Sequence, residues 1–170
     1  MRGAPLDRTR LILSSPFHYV FDWSEYERRM EQARHTLSSI KADLEFGSYG
    51  WACFKAQQAA ELALKAFLRG AGRPAFGHDL RELAIALSEY CRPSDDLMED
   101  ALFLSKFYVP PRYPYALPSG APYQFYTRRE AENAFRSASR ILEWVEECAR
   151  RLREIIEREE EGESQSAGRG

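Results

Sequence analysis

Apolar residues along the chain recur at helical spacing in five places, separated by short polar or glycine-containing breaks. In "DWSEYERRMEQARHTLSSIKADLEF", Tyr26, Met30, Ala33, Leu37, Ile40 and Leu44 follow one another at intervals of four, three, four, three and four. That spacing puts them on one face of a helix. Ser24 and Glu27 fit a capping box at its start, and "GSYG" breaks it. "WACFKAQQAAELALKAFLRGAG" predicts a second helix ending at a glycine signal. Its alanines (Ala52, Ala56, Ala59, Ala60, Ala63 and Ala66) would let neighbouring backbones come close, which predicts a central, buried element. "RPAFGHDLRELAIALSEYC" reads as a loop and a third helix capped by Asp79, with Glu82 three residues on. "RPSDDLMEDALFLSKFY" is a fourth helix, capped at Ser94 or Asp95. The last helix opens on a Thr127–Glu130 capping box. Its stripe runs through Ala131, Ala134, Phe135, Ala138, Ile141, Leu142, Val145, Cys148, Leu152, Ile155 and Ile156.

No segment reads as a strand. The pattern predicts an all-α, single up-and-down helical bundle of about five helices. Residues 1–21 form an N-terminal arm without periodicity, 22–158 the bundle domain, and 159–170 a flexible charged tail. The arm carries Leu11, Ile12, Leu13, Phe17, Tyr19 and Phe21, which predict packing on the domain or on a neighbour.

One stretch interrupts the helical pattern. "FYVPPRYPYALPSGAPYQFYT", residues 107–127, holds five prolines and seven aromatic residues. A connection of this length inside a compact domain is functional or disordered, and disordered segments are poor in aromatics. It is therefore expected to be one long ordered aromatic and proline loop that packs across the bundle.

Composition narrows the function classes. With 44% hydrophobic and 29% charged residues over 170 positions, the chain fits one globular domain. A formal charge of −2 provides no global field toward nucleic acid or membrane. No apolar run reaches membrane-spanning length, and the N-terminal apolar stretch is too short for a signal peptide. A cytoplasmic location is expected. Cys53, Cys91 and Cys148 are far apart and form no CxxC pair. Buried free thiols are expected, with no zinc or other metal site. No phosphate-binding glycine loop, dinucleotide fingerprint or nucleophile elbow is present, and no cofactor is expected.

Three groups of side chains carry candidate chemistry. His78 stands at a loop–helix junction, with Arg73 before it at the spacing Arg-x4-His. An arginine to hold phosphate and a histidine to move a proton would suffice for metal-free cleavage of RNA by its 2′-hydroxyl. The competing reading has His78 hydrogen-bonded to a neighbouring helix end, holding the loop. Arg112 and Tyr113 are stiffened by Pro111 and Pro114 and suit phosphate and base contacts. Against that, Arg112 could pair with a buried acid such as Glu61 while the tyrosines cover the core. Gln58, Glu61 and Lys65 lie near one face of the second helix, either lining a polar pocket or joining helices by hydrogen bonds.

Four segments in this order resemble the HEPN domain family (higher eukaryotes and prokaryotes nucleotide-binding). They are "WACFKAQQAAELALKAFLRGAG", "GHDLREL", "RYP" and "PYQFYTRREAENAFRSASRILEWVEE". With the first helix, the resemblance covers roughly residues 24–147. It implies a compact helical bundle, commonly a homodimer. It also implies association with minimal nucleotidyltransferases, often in toxin–antitoxin-like pairs. Some relatives are metal-independent RNases using an arginine and a histidine with four to six residues between them, near the start of a late helix. This chain departs from that pattern: no histidine follows Arg112, and Tyr115 stands after Pro114 where relatives often carry an acid. Nucleotide or RNA binding at Arg112, Tyr113, Lys65, Gln58, Glu61 and His78 is the expected function. The alternatives are an RNase with His78 as acid–base and Arg73 or Arg112 as phosphate clamp, and a non-catalytic dimerisation module.

Overall fold

The computed structural model describes residues 20–167, with side chains through 162. Five α-helices make up the bundle: α1 (Trp23–Phe46), α2 (Tyr49–Gly70), α3 (Leu80–Leu87), α4 (Asp95–Ser105) and α5 (Arg128–Ala167). No strand occurs among the described residues. The fold is the all-α bundle that the periodicity predicts.

Helix α2 is the axis of the bundle. It packs along α1 and α5 and touches α3 and α4. Its six alanines are all fully buried, and their small side chains let neighbouring helices approach. The stripe of α1 meets it, with Tyr26, Met30, Ala33 and Ile40 buried and Leu37 and Leu44 at the edge. From α5, Ala131, Ala134, Ala138, Ile141, Leu142, Val145, Cys148 and Leu152 close the core.

The helix ends follow capping chemistry, with one shift. Asp79 accepts from the backbone N–H groups of Arg81 and Glu82, and Ser94 from that of Leu97. Thr127 and Glu130 bond to each other's backbone N–H groups as a capping box. Helix α1, however, is capped by Asp22, whose carboxylate accepts from the Glu25 N–H at 2.9 Å. Ser24 lies inside the first turn, and Glu27 reaches Arg34 instead. The break between α1 and α2 is shorter than "GSYG". Gly47, at φ +85°, ends α1, and Ser48 precedes Tyr49 at the start of α2. Glycine takes that left-handed conformation without steric cost.

Phe21 of the arm is buried against Trp23, Tyr26 and Phe67. Gly70 makes room for it, since a Cβ there would lie 2.6 Å from the ring. The other apolar residues of the arm lie outside the described residues. At the other end, α5 continues through Ala167, into the stretch expected as a tail.

The expectation of three free thiols is corrected. Cys91 and Cys148 form a disulfide with their Cα atoms 5.6 Å apart, tying the end of the α3 segment to α5. Cys53 remains a buried thiol, which burial pushes up to about 12. No described helix is long and apolar enough to cross a membrane.

Candidate phosphate-binding site

The site is built on one line of α2. Trp51, Phe54, Gln58, Glu61 and Lys65 are spaced three, four, three and four residues apart, so they share a face. Glu61 is the hub of its polar half. Its carboxylate accepts from Lys65 Nζ at 2.8 Å and Gln57 Nε2 at 2.9 Å. His78 Nδ1 lies 3.1 Å from both carboxylate oxygens. Gln57 Nε2 also donates to the His78 carbonyl at 3.3 Å, and Gln58 Nε2 donates to Gln57 Oε1 at 2.6 Å. Gln58, Glu61, Lys65 and His78 thus fall into one network.

Glu61 is only 7% exposed. Burial pushes its carboxyl up, but hydrogen bonds from Lys65, Gln57 and His78 outweigh burial and hold it below the usual carboxylate range. A depressed value means that the folded state binds fewer protons than the unfolded chain. The stabilisation is therefore full above the ordinary carboxylate value of about 4.3 and is lost as pH falls through the folded value. Urea denaturation between pH 6 and pH 3 should show an acid-side loss of stability that Glu61→Gln makes shallower. An identical slope in both proteins would remove Glu61 as a contributor.

The aromatic half of the site is joined to the polar half by Tyr108. The His78 imidazole stacks on the Tyr108 ring with centroids 3.9 Å apart and planes 15° from parallel. The Arg112 guanidinium lies 4.6 Å from the centre of the same ring, 4.3 Å from Phe54 and 4.8 Å from Tyr113. Arg112 Nε donates to the Tyr108 carbonyl at 2.8 Å, and Nη2 donates to the same oxygen. Carbonyl and rings fix the side chain, and no carboxylate pairs with it among the described residues. The expected alternative pairing of Arg112 with Glu61 is not formed, because Lys65, Gln57 and His78 occupy that acid.

Arg112 lines an open cleft of about 220 Å³ with Ser48, Gly50, Trp51, Pro111, Pro122 and Tyr123. Trp51 and Tyr123 stand 50% and 72% exposed beside it. The loop that forms this wall is ordered by two short 3₁₀ turns, Pro114–Ala116 and Pro122–Phe125. It is pinned where it leaves and rejoins the bundle. Phe107 is buried, and the Tyr126 ring sits over Gly50, where a Cβ would meet it at 3.1 Å. Between those pins the loop does not cover the core. Tyr113, Tyr115, Tyr123 and Phe125 are exposed, with Tyr113 and Tyr115 stacked at 5.5 Å.

Arg73 is placed differently from the other candidates. It pairs with Glu89 at 3.1 Å on an exposed surface, while the contacts of His78 are with Glu61, Gln57 and Tyr108. Sequence reasoning missed Tyr108, Phe54 and Tyr123. Phe54 lies on the Gln58–Glu61–Lys65 line and could have been read from it. Nothing local marks Tyr108 as the ring shared by a histidine thirty positions earlier.

A family profile described as the HEPN domain matches residues 26–148. The chain belongs to the HEPN domain family. This HEPN domain is similar to three solved structures. The first is TT1696 from Thermus thermophilus, at 45% identity and a TM-score of 0.71 over 73% of this chain and 98% of that one. The second is ST0689, an archaeal HEPN homologue, at 37% identity and 0.61 over 72% and 95%. The third is an HEPN domain protein (tm0613) from Thermotoga maritima, at 38% identity and 0.60 over 73% and 98%. No curated protein matches the chain.

Proposed function

We propose that this HEPN domain binds a nucleotide or RNA, with a phosphate at Arg112 and a base on Trp51 or Tyr123. The observation that carries the reading is the Arg112 guanidinium. It is held by a backbone carbonyl and three rings, lacks a carboxylate partner among the described residues, and lines an open cleft. A cation fixed this way loses little freedom on meeting an anion. Exposed rings beside it offer stacking faces for bases. Arg112 is the one cation among the residues lining the cleft, so few phosphate contacts are expected and affinity should depend weakly on salt.

Charge-assisted hydrogen bonds contribute about 1.5–3 kcal/mol. Arg112→Ala is therefore expected to weaken binding of a nucleotide or short RNA roughly 10- to 100-fold with helicity retained. Stacking contributes about 1–3 kcal/mol per base, so Trp51→Ala should weaken it by a similar or smaller factor. Calorimetric titration that finds unchanged affinity in Arg112→Ala would refute this role. The family resemblance supports a homodimer working with a separately encoded minimal nucleotidyltransferase in a toxin–antitoxin-like system. Co-expression and co-purification of the pair test that assignment.

A second reading rests on the His78–Glu61 contact. A histidine oriented by a buried carboxylate, one ring away from an arginine, has the parts of a metal-independent RNase. It predicts RNA cleavage in chelator that His78→Ala abolishes.

A further inference from the structure

Much of the exposed side of α5 is laced with ion pairs at helical spacing: Arg128 with Glu132, Arg151 with Glu147 and Arg158 with Glu154. Arg129, Asn133, Arg136 and Arg140 depart from that rule. Intervals of four, three and four put them on one face, and the three arginines are exposed. Arg136 and Arg140 set like charges at i, i+4, which destabilises a helix surface. Arg129 stands in the first turn, where the helix dipole opposes a cation. Among the described residues Arg129 has no ion pair, and Arg136 bonds to Asn133 Oδ1 alone. Arg136 and Arg140 line an open cavity of about 300 Å³ between α4 and α5. Beside it the Asp100 carboxylate, 7% exposed, accepts from Arg140 Nε and Ser137 Oγ at 2.7 Å each, and from Arg140 Nη2. Arg140 Nη1 has no hydrogen-bond partner among the described residues. Joining α4 to α5 accounts for Asp100, Ser137 and one edge of Arg140. It leaves Arg129 and Arg136 without a structural task.

We propose that the face of α5 from Arg129 to Arg140 is a second phosphate site, which takes the backbone of an RNA strand. It rests on the reading of this domain as an RNA binder, and not on Arg112 itself. The three arginines are spread over about 16 Å of helix at about 1.5 Å per residue. Cations at that spread meet the successive charges of a polyanion better than one small anion, and the guanidinium fork matches phosphate. An anion between Arg136 and Arg140 would also relieve their mutual repulsion. The acids nearby bound the site: Asp96 and Glu143 act on Arg140, and exposed Glu99 lines the cavity. They oppose an anion and leave the basic stretch toward Arg129. A mononucleotide held at Arg112 would not need this face, whereas a strand would gain from it.

The test measures a labelled single-stranded RNA of about ten nucleotides by fluorescence anisotropy, and adenosine monophosphate and inorganic phosphate by calorimetry, across a salt series. The variants are Arg136→Ala and the double variant Arg129→Ala/Arg136→Ala. Arg140 is kept, because truncating it would leave the buried Asp100 carboxylate short of donors. Each arginine removed should weaken RNA binding roughly 2- to 5-fold, as for an exposed ion pair. It should also make the slope of log K against log salt shallower by about 0.7, with adenosine monophosphate unaffected. Glu99→Gln should act in the opposite direction and tighten RNA binding by a similar factor. Unchanged RNA affinity and slope in the double variant overturn the second site and leave the Arg112 reading standing. RNA binding that the double variant weakens and Arg112→Ala does not supports the second site and removes Arg112. Inorganic phosphate lost in the double variant while RNA is unaffected makes this a small-anion site and overturns the strand reading. RNA that fails to bind wild type overturns the proposal, whatever adenosine monophosphate does.

Discussion

Replacing Cys91 and Cys148 together with alanine is expected to lower the stability of the fold by about 4 kcal/mol. The bridge joins positions 57 apart. Restricting a loop of that length in the unfolded chain stabilises the folded state by about that amount in the chain-entropy account. For a protein of this size the melting temperature should fall by roughly 8–16 °C. Reduction of the wild-type protein should produce a similar fall, and adding reductant to the double variant should change nothing further. A wild-type melt insensitive to reductant, together with an unchanged double variant, would show that the bridge does not contribute.

Phe67→Ala should cost a comparable 3–5 kcal/mol, roughly the range for truncating a buried aromatic. The Phe67 ring is fully buried. It packs edge-on against Phe21 at 5.3 Å and Tyr90 at 5.2 Å. Truncation therefore opens a cavity between the entry to α1, the middle of the bundle and the residues after α3. These belong to three separate segments, so no single side chain can swing in to fill it. The readout is the urea midpoint followed by circular dichroism. A loss under about 1 kcal/mol would mean that the surrounding helices collapse onto the space, contrary to the close packing of α2.

The bundle was legible because its signals are local. The intervals in α1 and α5, the alanines of α2 and the caps at Asp79, Ser94 and Thr127 each fix an element within a few residues. The cap of α1 was misplaced by two positions because Asp22 and Ser24 both have capping chemistry, and only the path of the chain decides between them. The disulfide was not legible, because an odd number of distant cysteines without motif spacing gives no pairing. The site was half legible. Gln58, Glu61 and Lys65 could be grouped from α2 alone. That His78 docks on Glu61, and that Tyr108 joins His78 to Arg112, depends on how the α2–α3 connection and the long loop fold against each other. The aromatic character of that loop predicted order, but burial falls to Phe107 at one end, with Tyr126 partly buried at the other. Tyr113, Tyr115, Tyr123 and Phe125 between them face solvent, while Tyr108 is taken up by His78 and Arg112.

The division of α2 into two faces has an evolutionary consequence. At Ala52, Ala56, Ala59, Ala60, Ala63 and Ala66, full burial against neighbouring helices leaves almost no room for a larger side chain. Drift on that side is closed. The line through Trp51, Phe54, Gln58 and Lys65 is partly open to solvent and carries no such steric limit. A lineage can therefore change side chains along one side of the helix without disturbing the scaffold on the other, so the surface of this helix can diverge while the architecture stays fixed.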